Sequence, residues 1–187
     1  MGRIVVKDTW PLADLKTVGG AVTVPNPRGW THVQFRRYAG CPICNLHLRQ
    51  FIRRKDEMLG EPIFEVIVFA STEQAIVSYA ADIPFPIVAD PDRHLYRQVG
   101  MHRSVWALLR PKVMIAAVRG LTTFGAAIPE HFADANAMPA DFLVDPQGLV
   151  QACHYGRHAD DQWTVDEVLG LVRQAKHRLP SGSVARG

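Results

Sequence analysis

Cys41-Pro42-Ile43-Cys44 is the feature that most limits how this chain can fold. Ahead of it, residues 31–37 alternate, with Val33 and Phe35 apolar and Gln34 and Arg36 polar, the two-residue period of a strand. Gly40 ends that run. Behind it, Leu46, Leu48, Phe51, Ile52, Met58 and Leu59 follow an approximate helical spacing. Pro42 suits a first helical turn and Gly60 a helix stop. The two cysteines therefore sit where a strand passes the chain to a helix.

That placement carries chemistry. A thiol is nucleophilic only as thiolate, and the N–H groups at a helix start carry partial positive charge that stabilises an anion. Cys41 falls at the cap and Cys44 about one turn in, close enough to join, so either sulfur can resolve the other once it is oxidised. Arg36 and Arg37 precede the turn, and strand alternation lets one of them face it. Two other readings stand beside the redox one. A structural metal site could draw on His47 and on Cys153-His154, although no second Cys-x-x-Cys exists. Alternatively, the two cysteines are inert small residues of a core.

The rest of the chain alternates strand and helix. Residues 21–24 read as a short strand, and residues 64–70 as a central strand buried on both faces because their apolarity is nearly continuous. A helix through about residue 81 starts at Ser71 or Thr72. Residues 86–90 read as a strand, and 92–99 as a short helix stopped by Gly100. Residues 102–137 read as an insert with one or two helices, in which Trp106 and its neighbours line a pocket, a dimer face or plain core. Residues 141–145 and 149–155 form a hairpin around Pro146-Gln147-Gly148, and 164–179 an amphipathic helix with Val165, Val168, Leu169 and Val172 on its apolar stripe. The order predicts an α/β fold whose mixed sheet is flanked by helices, parallel in its βαβ part and antiparallel in its late hairpin.

Composition narrows the class. The chain has 187 residues, 48% of them hydrophobic, which fits one domain over 1–180 and a disordered tail over 181–187. A net charge of +3 with both signs mixed does not call for a nucleic-acid partner, and Arg53-Arg54-Lys55 reads as a solvated helix face. No apolar run is long enough to span a bilayer, and residues 1–8 lack a signal-peptide pattern, so a cytoplasmic protein is expected. Three cysteines are too few for a disulfide scaffold.

The stretch from Gln34 to Arg49, with Gly40 and the cysteine pair inside it, resembles the peroxiredoxin-like branch of the AhpC/TSA and redoxin proteins. Phe85-Pro86-Ile87-Val88-Ala89-Asp90-Pro91 is similar to that family's strand-and-Asp-Pro segment. His94 to Gly100 resembles its short helix, and Pro139 to Gly148 its late strand and turn. The segments follow the family order over residues 20–175, the insert excepted. The resemblance implies a thioredoxin-like fold with a cis-proline, Pro139, facing the cysteines. It implies an antioxidant or thiol–disulfide oxidoreductase that cycles a Cys41–Cys44 dithiol and disulfide, with Pro139 as the third site residue. A peroxide or disulfide would be the substrate and a thioredoxin- or glutathione-type thiol the reductant, with no cofactor or metal and with a homodimer compatible.

Two positions depart from the family pattern. Counted from Phe35, Cys44 takes the peroxidatic position of peroxiredoxins and Cys41 replaces their threonine. Pro139 stands where they carry an arginine that polarises the peroxide. Both departures weigh toward disulfide exchange and against fast peroxide reduction, and they leave open which sulfur attacks first. The other class of function is a non-enzymatic thioredoxin-fold binding module that uses the insert as its interface. Cys153 reads as a buried small residue more readily than as a resolving thiol, and His47 as a solvent-facing helix residue. Asp141 could face the site or water.

Overall fold

A computed structural model of the chain describes residues 2–101 and 137–178. Trp106, nearly all of the expected insert, and the tail from 181 lie outside the described residues.

Five strands form the central sheet. β3 (Trp30–Arg36) lies at its middle, parallel to β4 (Ile63–Phe69), which in turn runs parallel to β5 (Ile87–Ala89). On the other side of β3, β6 (Ala140–Val144) runs antiparallel with Phe35 opposite Ala140, and β7 (Val150–Tyr155) completes the order β5-β4-β3-β6-β7. A separate hairpin, β1 (Asp14–Thr17) and β2 (Gly20–Thr23), turns at Gly19, whose φ of 99° favours glycine. The mixed sheet and its late hairpin agree with the order expected from sequence. β1 was not anticipated, because Asp14-Leu15-Lys16-Thr17 is too short and mixed to show a period.

Five helices are described: α1 (Pro42–Arg53), α2 (Lys55–Gly60), α3 (Glu73–Ala80), α4 (His94–Gln98) and α5 (Val165–Arg178). The periodic stretch after Cys41 is thus two helices. Arg54, at φ −111° and ψ 20°, leaves helical geometry and shares its N–H between the carbonyls of Gln50 and Phe51. Met58 of α2 is then buried with Trp30, Ile63 and Phe51.

Each face of the sheet has its own core. Val33, Phe35, Val66, Val68 and Phe142 pack with Trp10, Tyr96 and Val99, and the Phe35 and Tyr96 rings meet edge-on at 5.0 Å. On the other face α1 covers Ile67 and Phe69, while Val165, Val168, Leu169 and Val172 of α5 cover Leu143 and Ala152. Burying a large apolar side chain contributes roughly 1.5–3 kcal/mol, which fixes these helices on the sheet.

The alternation of β3 does not separate a buried side from an exposed one: all seven residues are buried. His32, Gln34 and Arg36 point under the helices and satisfy one another with partners from neighbouring strands. His32 Nδ1 lies 2.8 Å from Glu65 and its Nε2 3.2 Å from Asp141. Gln34 donates to Glu65, and Arg36 donates to Gln34 and, at 2.7 Å, to Asp141. Polar residues line a buried face here because each has a partner of opposite character.

Candidate active site

β3 ends at Arg36, and the next five residues lead to Cys41. That connection is fastened to β4: Ala70 donates its N–H to Arg37 O at 3.3 Å, and Ala39 donates its N–H to Ser71 Oγ at 3.0 Å. Gly40, at φ 74°, makes the turn that a side chain would strain. Cys41 then caps α1 from an extended backbone, and its Sγ accepts the Cys44 N–H at 3.4 Å. A cysteine thus stands where Ser, Thr, Asp or Asn usually caps a helix, and its sulfur sits at the positive end of the helix dipole.

Of the two arginines before the turn, Arg37 serves the site. Its Nη1 donates to Cys41 Sγ at 3.7 Å, while Arg36 is held by Asp141. Burial alone would push the Cys41 thiol up. The hydrogen bond from Cys44, the charge of Arg37 and the N–H groups of Cys44 and Ile43 outweigh it and bring the pKa down to about 6. Burial, the hydrogen bond to Cys41 and the Cys41 charge push Cys44 the other way, well above an ordinary thiol. The two sulfurs are thus biased in opposite directions, Cys41 toward the thiolate and Cys44 toward the thiol. Both cysteines are 0% exposed, packed with Tyr38, Ala39, Ile43, Leu48 and Ala159.

Pro139 lies at the cysteine end of the sheet. It directly precedes Ala140, the β6 residue that pairs with Phe35, and its carbonyl accepts the Gly156 N–H at 2.9 Å. The expected cis bond is corrected: the cis X-Pro bond among the described residues is Val24–Pro25, and the bond before Pro139 is trans. Pro139 behaves as an ordinary proline opening a strand, because the β6–β7 ladder runs on extended backbone to its carbonyl.

The remaining candidates fall away from the sulfurs or beneath them. Cys153 on β7 pairs in register with Phe142 and packs on the opposite core, against the Trp10 and Phe142 cluster. Burial and the nearby Asp8 push its thiol up. His47 is buried and not solvent-facing as expected. Its ring lies 5.2 Å from that of Phe51, and burial and the charge of Arg36 pull its pKa down to about 3, so it is neutral. Asp141 faces the buried side of the sheet, where burial is outweighed by Arg36 and His32 and its carboxyl is held well below the usual range. Among the described residues no group of three or more His, Cys, Asp and Glu side chains is placed to hold a metal ion. A cavity of about 250 Å³, lined by Met58, Ile63, Phe64 and Phe85 among others, opens at the opposite end of the parallel strands, and neither cysteine lines it.

Sequence reasoning named Arg37 only as one of two arginines, and it missed the segment after β7. Alternation in β3 would have assigned Arg36 and Arg37 to opposite faces, but the chain leaves the strand at Arg36, so the pattern stops one residue short of the answer.

Comparison with known proteins gives independent findings. A family model described as AhpC/TSA antioxidant enzyme matches residues 50–158. That span begins past Cys44, so the match does not rest on the cysteine pair. A peroxiredoxin of Nanoarchaeum equitans (strain Kin4-M) is 25% identical over 179 residues, covering 90% of this chain and 68% of the relative. AhpC of Mycobacterium bovis superposes with a TM-score of 0.64 at 18% identity over 100% of both chains. The yeast mitochondrial 1-Cys peroxiredoxin does so with a TM-score of 0.67 at 12% identity, over 93% of this chain and 77% of that one. These likenesses show a thioredoxin-like fold of the peroxiredoxin kind.

Proposed function

The chain belongs to the AhpC/TSA antioxidant enzyme family, and on that premise we propose that Cys41 is its attacking thiolate, Cys44 its resolving thiol and a small hydroperoxide its substrate. It is a thiol-dependent oxidoreductase. The observation that carries the assignment of roles is the convergence on Cys41 Sγ of the Cys44 N–H at 3.4 Å and the Arg37 guanidinium at 3.7 Å, beside a Cys44 that keeps its proton.

The steps follow from that geometry. The Cys41 thiolate attacks the terminal oxygen of the hydroperoxide. An S–O bond forms as the O–O bond breaks, so Cys41 is oxidised to a sulfenic acid and the peroxide leaves as an alkoxide. Arg37 is the cation beside the charge that develops. The Cys44 thiol proton neutralises the alkoxide to an alcohol. The Cys44 thiolate so formed attacks the Cys41 sulfur and expels hydroxide, giving the Cys41–Cys44 disulfide. An external thiol of thioredoxin or glutathione type resets the pair by two-electron reduction. The yeast relative is described as resolving its thiol via glutathione/thioredoxin systems, which supports this class of reductant.

On this reading Arg37, in the loop just past β3, supplies the arginine that the family resemblance finds missing at Pro139. This moves the weight from disulfide exchange back to peroxide, and the full burial of both sulfurs favours a small substrate over a protein disulfide. Disulfide exchange stays the second reading because Pro139 stands where the polarising arginine of peroxiredoxins would. Peroxide consumption coupled to a thioredoxin system, run beside reduction of a small disulfide, tests the pair of readings. Turnover of peroxide that is lost in Cys41→Ser supports the first. Turnover confined to the disulfide overturns it.

A further inference from the structure

We propose that residues 156–163 form a gate over the cysteine pair, and that the gate selects oxidants by size. Hydrogen peroxide needs only a slight opening of it to reach Cys41; bulkier hydroperoxides and disulfides need it displaced. The proposal rests on reading Cys41 as the attacking thiolate.

The starting point is a conflict. A nucleophile must touch its substrate, yet Cys41 and Cys44 are both 0% exposed. Among the described residues, the segment after β7 contributes Ala159 to the apolar cluster that encloses them, with Tyr38, Ala39 and Ile43. Ala159 is 1% exposed although its neighbours Arg157 and Asp160 are exposed, so its methyl group points inward from a surface loop, as does the buried side chain of Gln162.

The loop is tethered at its ends and by two of its own side chains, Asp161 and Gln162, the latter donating from Nε2 to Ala159 O at 3.2 Å. At its start the Gly156 N–H donates to Pro139 O at 2.9 Å. At its end the Trp163 N–H donates to Asp141 Oδ2 at 3.3 Å. Between them Asp161 closes the loop on itself. Its Oδ2 accepts the Arg157 N–H at 2.8 Å, and its Oδ1 lies 3.0 Å from His154 Nε2 on β7. Gly156 has no room for a side chain, because a Cβ there would lie 2.5 Å from Asp161 O and 2.7 Å from the Pro139 ring. Pro139 therefore acts as the sill on which the loop closes. The tip is held by the Ala159 methyl group, the Asp161 carboxylate, the Gln162 side chain and the Asp161 N–H, which donates to His158 O at 3.1 Å. Several of these bonds close the loop on itself and not on the sheet, so the tip can move as a unit, as lids do.

Two variants loosen the gate without touching either sulfur. Gly156→Ala puts a methyl group against both the Asp161 carbonyl and the Pro139 ring, and Asp161→Ala removes the carboxylate's contacts with Arg157 and His154. The reduced full-length protein is treated with hydrogen peroxide and, separately, with cumene hydroperoxide, and oxidation of each cysteine is followed by peptide mass spectrometry. Far-UV circular dichroism confirms that the variant used keeps its fold, and Asp161→Ala carries the test where Gly156→Ala does not fold. The expected result is that cumene hydroperoxide oxidises Cys41 about tenfold faster in the variants, while hydrogen peroxide changes by less than about threefold. Equal acceleration by both oxidants, or none, overturns the gate while leaving Cys41 as the nucleophile. Oxidation of Cys44 with Cys41 untouched in the unmodified protein overturns the reading of Cys41, and the gate with it.

Discussion

Arg37 places its Nη1 3.7 Å from Cys41 Sγ, from the loop that leads off β3 into α1. The pairing adds to the hydrogen bond from Cys44, which bears on Cys41 more strongly, in biasing Cys41 toward thiolate. Cys41 and Cys44 share a cap, a cluster and complete burial, but Cys41 takes the Cys44 N–H and the Cys44 hydrogen bond, with Arg37 beside it.

Replacing Arg37 by Met therefore acts on the titration of Cys41. A hydrogen bond to a charged group contributes roughly 1.5–3 kcal/mol, so the thiolate midpoint rises by about 1–2 pH units from its value near 6. Alkylation of Cys41 at pH 6 slows about 5- to 50-fold, and Arg37→Lys restores part of it. A pH–rate profile of iodoacetamide alkylation reads this directly. A profile that does not move in Arg37→Met shows that the helix start alone holds the charge.

Asp141 matters to the fold more than to the sulfurs. It takes Arg36 at 2.7 Å, His32 at 3.2 Å and the Trp163 N–H at 3.3 Å, and its side chain is fully buried. Asp141→Ala leaves two buried cations facing each other, and breaking a buried pair costs about 3–5 kcal/mol. The Arg36→Met, Asp141→Leu double variant, which removes charge from both sides, loses much less. Urea unfolding midpoints compare the two. Equal losses in both variants would show that packing, not charge pairing, explains the single change.

These two cases mark how far the sequence could be read. The cysteine turn was legible, because a strand period, a glycine, a proline at a helix start and two cysteines are all local signals. So was the order of sheet and helices, with boundaries within a residue or two for β4, α3 and α5. The buried face of β3 was not, because alternation of Gln34 and Arg36 looks the same whether the polar side meets water or meets Glu65 and Asp141. Those partners lie 31 and 105 residues away, beyond any local pattern. His47 failed for the same reason: one of its partners, the Trp163 backbone, is remote in sequence. The loop over the cysteines has no motif at all, and only the packing of Ala159 reveals it.

His32 makes stability depend on pH. Burial lowers its basicity, but Glu65 and Asp141 more than reverse this and raise it from 6.5 to about 9. A pKa raised in the folded state contributes stability that is complete below pH 6.5 and lost as pH rises through 9, on the order of 3 kcal/mol. Cys41, whose pKa is lowered, works in the opposite sense over the same window. The measurement is therefore made in Cys41→Ser/Cys44→Ser, by urea unfolding at pH 6 and pH 9.5. A fall in stability toward pH 9.5 is expected. A flat profile would mean that His32 is neutral between its two carboxylates.

The central claim is that Cys41 attacks and Cys44 resolves, and one trapping experiment addresses it. The reduced Cys44→Ser protein is treated with one equivalent of hydrogen peroxide in the presence of dimedone, and the labelled peptide is identified by mass spectrometry, with the unsubstituted protein mapped for its disulfide in parallel. The account predicts a dimedone adduct on Cys41 in Cys44→Ser, none on Cys44 in Cys41→Ser, and a Cys41–Cys44 disulfide in the unsubstituted chain. A sulfenic acid trapped on Cys44 in Cys41→Ser, or a main disulfide that includes Cys153, would contradict it.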